Sequence, residues 1–187
     1  LLKSATLRRL VTSHPRIDRI VHLAAEVPKT RSDDSKRLFT DNIRMTQHLL
    51  QVFGPRARGI IYASTIEVYG LPPGTKKISE NTPVRPKTWY GKSKYHGEVL
   101  CLSFGQSHAI PVSVLRFASL YGAGDTISRA IPNFIRASLS GNDFEINHGG
   151  DKRDYLHKED AARATLLAVQ KNANGIFCIG TGRPVTI

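Results

Sequence analysis

Residues 17–25 read IDRIVHLAA, a short apolar run rich in Ile and Val that follows Pro15 and precedes a long polar stretch. Runs of this kind are typical of strands that are buried on both faces of a parallel sheet. Similar runs recur along the chain, and we predict further strands at 59–64, 111–117 and 176–179. These segments form the core of the predicted sheet.

Between the predicted strands, the apolar residues follow a helical spacing. The stripe from Leu38 to Phe53, for example, ends at Gly54 and Pro55, residue types that terminate helices. We predict helices at 1–14, 33–53, 88–108, 127–139 and 158–169, a loop over 70–87 and a short strand near 144. Strands that alternate with helices indicate βαβ crossovers, so the predicted class is α/β with a doubly wound, mostly parallel sheet.

Ligands of such sheets bind beyond the carboxyl ends of the strands. Three segments lie at or directly after the ends of predicted strands, at 22–27, 64–70 and 117–125. We therefore expect the functional residues in or near these segments.

The composition is that of a soluble globular domain, with 187 residues, 40% hydrophobic and 22% charged. Lys and Arg outnumber Asp and Glu by 27 to 15, which raises nucleic acid as a partner. However, the basic residues are scattered in pairs and aromatic residues are only 7% of the chain. We expect no nucleic-acid partner, and a basic surface or a field that attracts small anionic substrates accounts for the net charge of +12.

The two cysteines, Cys101 and Cys178, are too few for a disulfide scaffold or a CxxC metal cluster. We expect a reducing, cytoplasmic location and no metal site. No apolar run approaches the roughly 20 residues of a membrane helix, so we expect no membrane partner.

The sharpest chemical feature is the pair Tyr90 and Lys94, written YGKSK, at the start of a predicted helix. Side chains four residues apart lie on one helix face, with about 5–6 Å between Cβ atoms. A tyrosine is only about one part in a thousand ionised at pH 7, and a nearby ammonium favours the phenolate. The spacing therefore predicts a tyrosine base with a lowered pKa, although an amphipathic surface helix would show the same spacing.

Other polar residues stand where the chemistry is expected. The strand before Tyr90 ends with Ser64, Thr65 and Glu67, and a hydroxyl there could relay a proton to a substrate alcohol. Six motifs occur in a fixed order: HLAA at 22–25, Asn42 in DNIRMTQHLL, STIEVYG at 64–70, YGKSK at 90–94, LRFASLYG at 115–122 and GGDKRDYLHKED at 149–160. In this order and spacing the chain resembles the extended short-chain dehydrogenase/reductases, and within them the nucleotide-sugar epimerase/dehydratase branch typified by UDP-glucose 4-epimerase.

The resemblance implies a Rossmann-like fold and a role for each matching residue. Tyr90 would be the base, Thr65 the catalytic hydroxyl, and Lys94 would hold the nicotinamide ribose. The implied cofactor-binding residues are Leu23, Ala24, Ala25, Asn42, Ser64, Tyr90, Lys94, Phe117 and Ala118. The implied substrate-binding residues are Thr65, Glu67, Ser119 and Arg153, the last as a clamp on the diphosphate. For Asn42 a solvated helix cap is the alternative, for Arg153 an ordinary Arg–Asp pair, and His22 is interpreted as a satisfied core histidine.

The chain also departs from the pattern. The glycine-rich pyrophosphate loop and the acidic residue that reads the adenosine ribose are absent, so the sequence does not distinguish NAD from NADP. NAD is the cofactor that the resemblance implies, with NADP left open. The resemblance implies an N-terminally truncated chain, short by on the order of 60 residues, and a partial C-terminal region. We divide it into a truncated dinucleotide-binding domain at 1–122 and a partial substrate-binding region at 123–187 that returns to the sheet. Ser119 and Cys178 replace frequent asparagines, which leaves the substrate open.

The implied function is NAD(P)-dependent epimerisation of a nucleotide-activated sugar through a 4-keto intermediate. Glu67 keeps a dehydratase or decarboxylase open, a keto-reductase is a further option, and so is a non-catalytic Rossmann-like binding domain. The isolated fragment could be inactive. The amphipathic helices at 33–53 and 88–108 suggest a homodimer through a four-helix interface.

Overall fold

A computed structural model describes residues 10, 17–29, 33–70, 78–125, 129–143, 150 and 152–186. Four parallel strands form the main sheet in the order β1-β2-β3-β7. They are β1 (Ile20–His22), β2 (Ile60–Thr65), β3 (Val112–Phe117) and β7 (Gly175–Ile179). The four predicted strands are confirmed, but β1 is shorter than the predicted 17–25. The chain has left the sheet by Leu23, whose surface is 63% exposed.

Four helices connect or flank these strands. They are α1 (Lys36–Phe53), α2 (Trp89–His108), α3 (Ala130–Ser140) and α4 (Lys158–Gln170). The first two begin at side-chain caps, because the Ser35 side chain accepts from the Leu38 amide and the Thr88 side chain accepts from the Gly91 amide. The predicted helix at 1–14, apart from Leu10, and the predicted strand near 144 lie outside the described residues.

The helices cover both faces of the sheet. Successive side chains of a strand point to opposite faces. Along β2, Ile60 and Tyr62 pack into a cluster with α1 and α2, whereas Ile61 packs into a second cluster that includes Ala161 and Ala168 of α4. The doubly wound α/β arrangement is therefore confirmed.

Two small pairs of strands lie beyond the main sheet. β4 (Ser119–Tyr121) pairs with β6 (Tyr155–His157), and β5 (Lys152–Arg153) pairs with β8 (Val185–Thr186). The sequence analysis missed them because two or three residues carry no recognisable hydrophobic period, so tertiary pairing determines them. None of the helices in the described part of the chain is both long and apolar enough to cross a bilayer.

The register brings the strand ends to one edge. Thr65 at the end of β2 pairs with Phe117 at the end of β3, and Phe117 pairs with Ile179 at the end of β7. The segments that follow these strands therefore start side by side, as the topology rule requires.

Candidate active site

Two acceptors fix the start of helix α2. The Asp34 carboxylate accepts hydrogen bonds from the backbone amides of Trp89 at 3.0 Å and Tyr90 at 2.7 Å. The Thr88 hydroxyl accepts from the Gly91 amide at 2.9 Å. A carboxylate at a helix N-terminus is favourable because the free amides there carry partial positive charge. The backbone of Tyr90 is thus held on the side that faces α1.

The segment after β2 is tied to the same helix start. The Thr65 hydroxyl accepts from the Glu67 amide at 3.3 Å and begins a short 3-10 helix at Ile66–Tyr69. The Thr88 hydroxyl donates to a Glu67 carboxylate oxygen at 3.2 Å. A Cβ on Gly91 would lie 2.9 Å from the Glu67 carbonyl oxygen, so the close approach requires glycine. Thr65, Glu67 and the start of α2 thus share one corner of the molecule.

Tyr90 is half-buried, and its electrostatic environment differs from the prediction. Burial, together with the Glu67 carboxylate, raises the pKa of Tyr90 to about 12, although the Arg129 guanidinium acts in the opposite direction. The prediction of a tyrosine with a lowered pKa is therefore wrong for this structure. Loss of hydration disfavours the phenolate, and helical spacing alone does not offset that loss.

The Lys94 ammonium points toward β2. Only 3% of the residue is exposed, and its Nζ lies 4.4 Å from the centroid of the Tyr62 ring, a cation–π contact. Burial lowers the pKa of Lys94 to about 8, while Cys101 and Glu98 act to raise it. A Cβ on Gly97 would overlap the Tyr62 hydroxyl, so this glycine lets the ring lie under the helix.

The interpretation of His22 as a satisfied core histidine holds for one ring nitrogen. The residue is 2% exposed, its Nε2 lies 3.0 Å from the Thr46 hydroxyl, and its ring meets Tyr62 edge-on at 5.3 Å. Among the described residues, its Nδ1 has no hydrogen-bond partner. Burial lowers the pKa of His22 to about 4, and the nearby Lys94 charge contributes in the same direction.

Asn42 joins the segment after β1 to helix α2. Its Oδ1 accepts from the Glu26 amide at 2.7 Å, and its Nδ2 donates to the Glu26 carbonyl and to the Ser93 hydroxyl, both at 3.0 Å. Ser93 in turn donates to the Tyr90 carbonyl at 2.8 Å. With 5% exposure, Asn42 is a buried bridge, and its interpretation as a solvated cap is wrong.

The other predicted positions lie at the carboxyl ends of the strands. Leu23 and Ala24 are exposed after β1, Ala25 is half-buried, Phe117 and Ala118 are buried at the end of β3, and Ser119 begins β4. The Ser64 hydroxyl, predicted to contact a cofactor, donates to the Glu98 carboxylate instead, because it lies on the buried side of β2.

Arg153 is exposed on β5. Its positive charge acts on the Glu67 carboxylate. Burial raises the pKa of Glu67, while the Thr88 hydroxyl, Arg129 and Arg153 act to lower it. The two guanidinium groups bring positive charge to this corner, beside the carboxylates of Glu67 and Asp34.

The sequence analysis missed Asp34, Glu98 and Arg116. Arg116 carried a signal, because a charge inside the apolar strand VSVLRF needs a buried partner. Glu98 follows Lys94 by four residues and so continues the Tyr90 and Lys94 face. No comparable signal marked Asp34, which reaches α2 from 55 positions earlier in the chain.

The residues at this edge fit a dinucleotide. Small side chains at Ala24, Ala25 and Ala118 let a planar ring or a phosphate approach the backbone closely. Lys94 carries three N–H donors, the kind of group that binds ribose hydroxyls, and its described contact is the face of the Tyr62 ring.

Known proteins share both the sequence and the fold of this chain. The NAD dependent epimerase/dehydratase family matches residues 1–180. A UDP-N-acetyl-alpha-D-glucosaminuronate decarboxylase of Bacillus cytotoxicus is 33% identical over 97% of the chain. UDP-glucose 4-epimerase of Thermotoga maritima, solved with UDP-glucose, superposes with a TM-score of 0.87 at 28% identity over 99% of the chain. The dTDP-glucose 4,6-dehydratase DesIV of Streptomyces venezuelae, solved as a double mutant with NAD bound, gives a TM-score of 0.86 at 26% identity over 99% of the chain.

The chain spans only part of these proteins, namely 58% of the decarboxylase, 62% of the epimerase and 57% of the dehydratase. The matching region nevertheless includes the main sheet, helix α2 and the corner with Thr65, Glu67 and Tyr90. Because the family match extends over nearly all of its residues, the chain belongs to the NAD-dependent epimerase/dehydratase family.

Proposed function

We propose that this chain carries the catalytic residues of an NAD(P)-dependent enzyme that epimerises a nucleotide-activated sugar through a 4-keto intermediate. One observation carries the proposal. Tyr90, which is half-buried, and Lys94, which is buried, lie on one face of α2, and the start of that helix is bonded through Thr88 and Glu67 to the segment that begins with Thr65. This arrangement supports a site that combines a phenol, an ammonium and a hydroxyl near the edge where ligands of such sheets bind.

The residues have distinct roles in this mechanism. Tyr90 takes the proton from the sugar 4-hydroxyl, with Thr65 as a hydrogen-bonding partner of the same oxygen. NAD, when bound, would accept the hydride that leaves C4 and later return it, and its oxidised form would add a positive charge. Lys94 would hold the ribose of the cofactor. In the return half-reaction the hydride would go back to the other face of C4 while Tyr90 gives its proton to the carbonyl oxygen, so that the hydroxyl forms again with inverted configuration.

The raised pKa of Tyr90 bears on these roles. A phenol with a pKa of about 12 is fully protonated near pH 7, which suits the return step, in which it is the acid. As a base it needs added positive charge, and Arg129 already acts in that direction. We propose that Arg153 and the cofactor positions Leu23, Ala24, Ala25, Phe117 and Ala118 complete the binding site.

The test is Tyr90→Phe in the protein at its full natural length, assayed with UDP-glucose and NAD. We expect kcat to fall by about 10³-fold, the range of a lost acid–base group. The matched control is Tyr95→Phe, on the same helix and also half-buried, with turnover within twofold of the wild type. Equal turnover of the two variants, with NAD binding intact, would contradict the proposal. Binding of NAD without turnover in the wild type would favour a non-catalytic binding domain.

A dehydratase or decarboxylase is the second candidate, and Glu67 favours it. Its carboxylate accepts from Thr88, burial raises its pKa, and it acts on the pKa of Tyr90. A carboxyl group that holds its proton more tightly is suited to move a proton during elimination of water. Mass analysis of the product separates the candidates, because epimerisation leaves the sugar mass unchanged. Loss of water or carbon dioxide that stops in Glu67→Gln would replace epimerisation as the function.

The homodimer is also a proposal. Helices α1 and α2 pack side by side, and α2 carries an exposed apolar residue, Val99, at 46% exposure. We propose that these two helices form a four-helix interface with a second copy. Sedimentation of the full-length protein tests it, with a dimer expected and a monomer contradicting it.

A further inference from the structure

The Glu98 carboxylate is the most enclosed charged group in the described part of the chain. It is 1% exposed and receives three hydrogen bonds. Arg116 donates from Nε at 2.9 Å and from Nη2 at 2.6 Å, and the Ser64 hydroxyl donates at 2.5 Å. Arg116 is itself 2% exposed. We call Glu98, Arg116 and Ser64 the Glu98 hub.

The hub joins three elements next to the proposed active site. Glu98 lies on α2, eight residues after Tyr90 and four after Lys94, so the three share one helix face. Ser64 is on β2, and the register places it beside Arg116 on β3. The residue that follows Ser64 is Thr65. The carboxylate therefore links the helix face that presents Tyr90 to the strand end that presents Thr65.

Further hydrogen bonds connect the hub to Cys178 near the end of β7. Arg116 Nη1 donates to the Tyr69 hydroxyl at 2.8 Å, which lies 3.1 Å from the Cys178 sulfur. The Cys178 amide donates to the Glu80 carboxylate at 2.7 Å. The network therefore runs from α2 through β2 and β3 to β7 and to the segment that leads into α2.

A buried ion pair of this kind is a weak source of stability, because desolvation of both charges offsets their attraction. Its directional bonds, by contrast, fix relative positions. We propose that Glu98 is a positioning residue that sets the placement of Thr65 relative to Tyr90 through Ser64 and Arg116. The inference rests on the proposed function, since it assigns the hub to the same reaction.

Glu98 also acts on Lys94. The charged or titratable groups that face this ammonium are His22 from β1, Tyr62 from β2, and Glu98 and Cys101 from α2. His22 is neutral at pH 7, and burial raises the pKa of Cys101 to about 12, so the thiol is neutral too. Glu98 therefore acts to raise the pKa of Lys94, against the effect of burial.

The first test removes one bond from the hub and leaves its charges. In the full-length protein, Ser64→Ala should lower kcat by about tenfold with KM within twofold, since small displacements in a catalytic geometry slow turnover steeply. The matched control is Ser113→Ala on β3. Its hydroxyl is also buried and donates at 2.5 Å, but to the Ala173 carbonyl at the far end of the strand. Equal kinetics of the two variants would overturn the inference.

A second readout does not depend on turnover. Tyrosine labelled with 13C at Cζ gives a resonance for Tyr90, assigned by its loss in Tyr90→Phe. We expect this resonance to shift in Ser64→Ala and to stay in place in Ser113→Ala. An unmoved resonance in Ser64→Ala overturns the positioning role. Absence of turnover in the wild type, with the shift present, would instead contradict the proposed function.

The third test removes both charges of the hub. Replacement of a buried pair by apolar side chains of similar volume is tolerated, so Glu98→Met combined with Arg116→Met should fold. We expect kcat to fall by about 100-fold. The alkaline limb of the pH profile should also move to lower pH, because Glu98 no longer acts to raise the pKa of Lys94. Wild-type turnover with an unchanged alkaline limb in the folded double variant would overturn the inference.

Discussion

Glu98 and Asp154 each accept three hydrogen bonds, but they organise the chain on different scales. Glu98 accepts hydrogen bonds from Ser64 on β2 and from the Arg116 guanidinium on β3, and it is buried. Asp154 is half-buried and is bonded to consecutive residues, with Thr181 donating from its amide and hydroxyl and Gly182 from its amide. One carboxylate fixes distant elements, whereas the other shapes a single turn.

The comparison of Glu98 with Asp154 indicates which part of the molecule is held rigidly. The side of the site that holds Tyr90, Lys94 and Thr65 is supported by buried polar contacts. The side with Arg153 and Asp154 consists of strands of two or three residues near the surface. Under the proposed function, the first side would carry the proton transfer, which demands fixed distances, and the second would contact the substrate. We expect substitutions on the first side to change rate and stability strongly, and substitutions on the second to change little.

The largest effect should come from two lysines of one helix. Lys94 and Lys92 both lie over aromatic rings, at 4.4 Å from Tyr62 and 4.7 Å from Trp89, but only Lys94 is fully buried. We expect Lys94→Met to lower turnover by about 10³-fold and to weaken NAD binding. Lys92→Met should leave both within twofold. Calorimetric titration with NAD and a turnover assay measure the pair, and equal losses would show that burial is not the deciding property.

The second-largest effect should be a loss of stability at acid pH, caused by the buried side chain of His22. The His22 pKa falls from 6.5 to about 4 on folding, so the unfolded chain binds the proton in this range and the folded chain does not. The free energy of unfolding should be retained above pH 6.5 and should decrease by about 3 kcal/mol as the pH falls to 4. Urea titrations at several pH values measure it.

The control for acid sensitivity is an exposed histidine. His22→Phe should abolish most of the decrease between pH 6.5 and 4, whereas His108→Gln, at the exposed end of α2, should keep it. A full acid-induced loss that persists in His22→Phe would assign the sensitivity to other groups.

The smallest effect should be at Asp154. Its hydrogen bonds are local and solvent competes for them, so Asp154→Ala should cost about 1 kcal/mol of unfolding free energy. Turnover should stay within about threefold, because the described hydrogen bonds of the Asp154 carboxylate go to Thr181 and Gly182 and not to α2. A loss as large as that of Lys94→Met would remove the distinction between the two sides.

The sequence predicted the sheet and the helices well, because long apolar runs and helical stripes report burial directly. It also singled out Tyr90, Lys94 and Asn42 as candidate site residues, and in the structure Asn42 is linked through Ser93 to the Tyr90 carbonyl. The four short strands were not predictable, since Lys152–Arg153 or Val185–Thr186 has no pattern of its own. Their pairing is decided by residues far away in the chain.

The electrostatics of the site were the harder part. Spacing placed Lys94 on the Tyr90 face, but only the structure shows that the ammonium reaches the Tyr62 ring and that burial raises the pKa of Tyr90. The direction of a pKa shift depends on the balance of desolvation and neighbouring charge, and both are properties of the packed chain. Glu98 and Arg116 were likewise readable as charges in buried segments, but their partners were not.

The single tryptophan of these 187 residues is Trp89, one peptide bond from Tyr90. Its amide is held by Asp34, Phe39 meets its indole edge-on at 5.7 Å, and the Lys92 ammonium lies over its ring. Indole emission responds strongly to a neighbouring cation and to hydration. Fluorescence at this position therefore gives an intrinsic optical signal for any ligand that shifts the first turn of the helix, with no label attached.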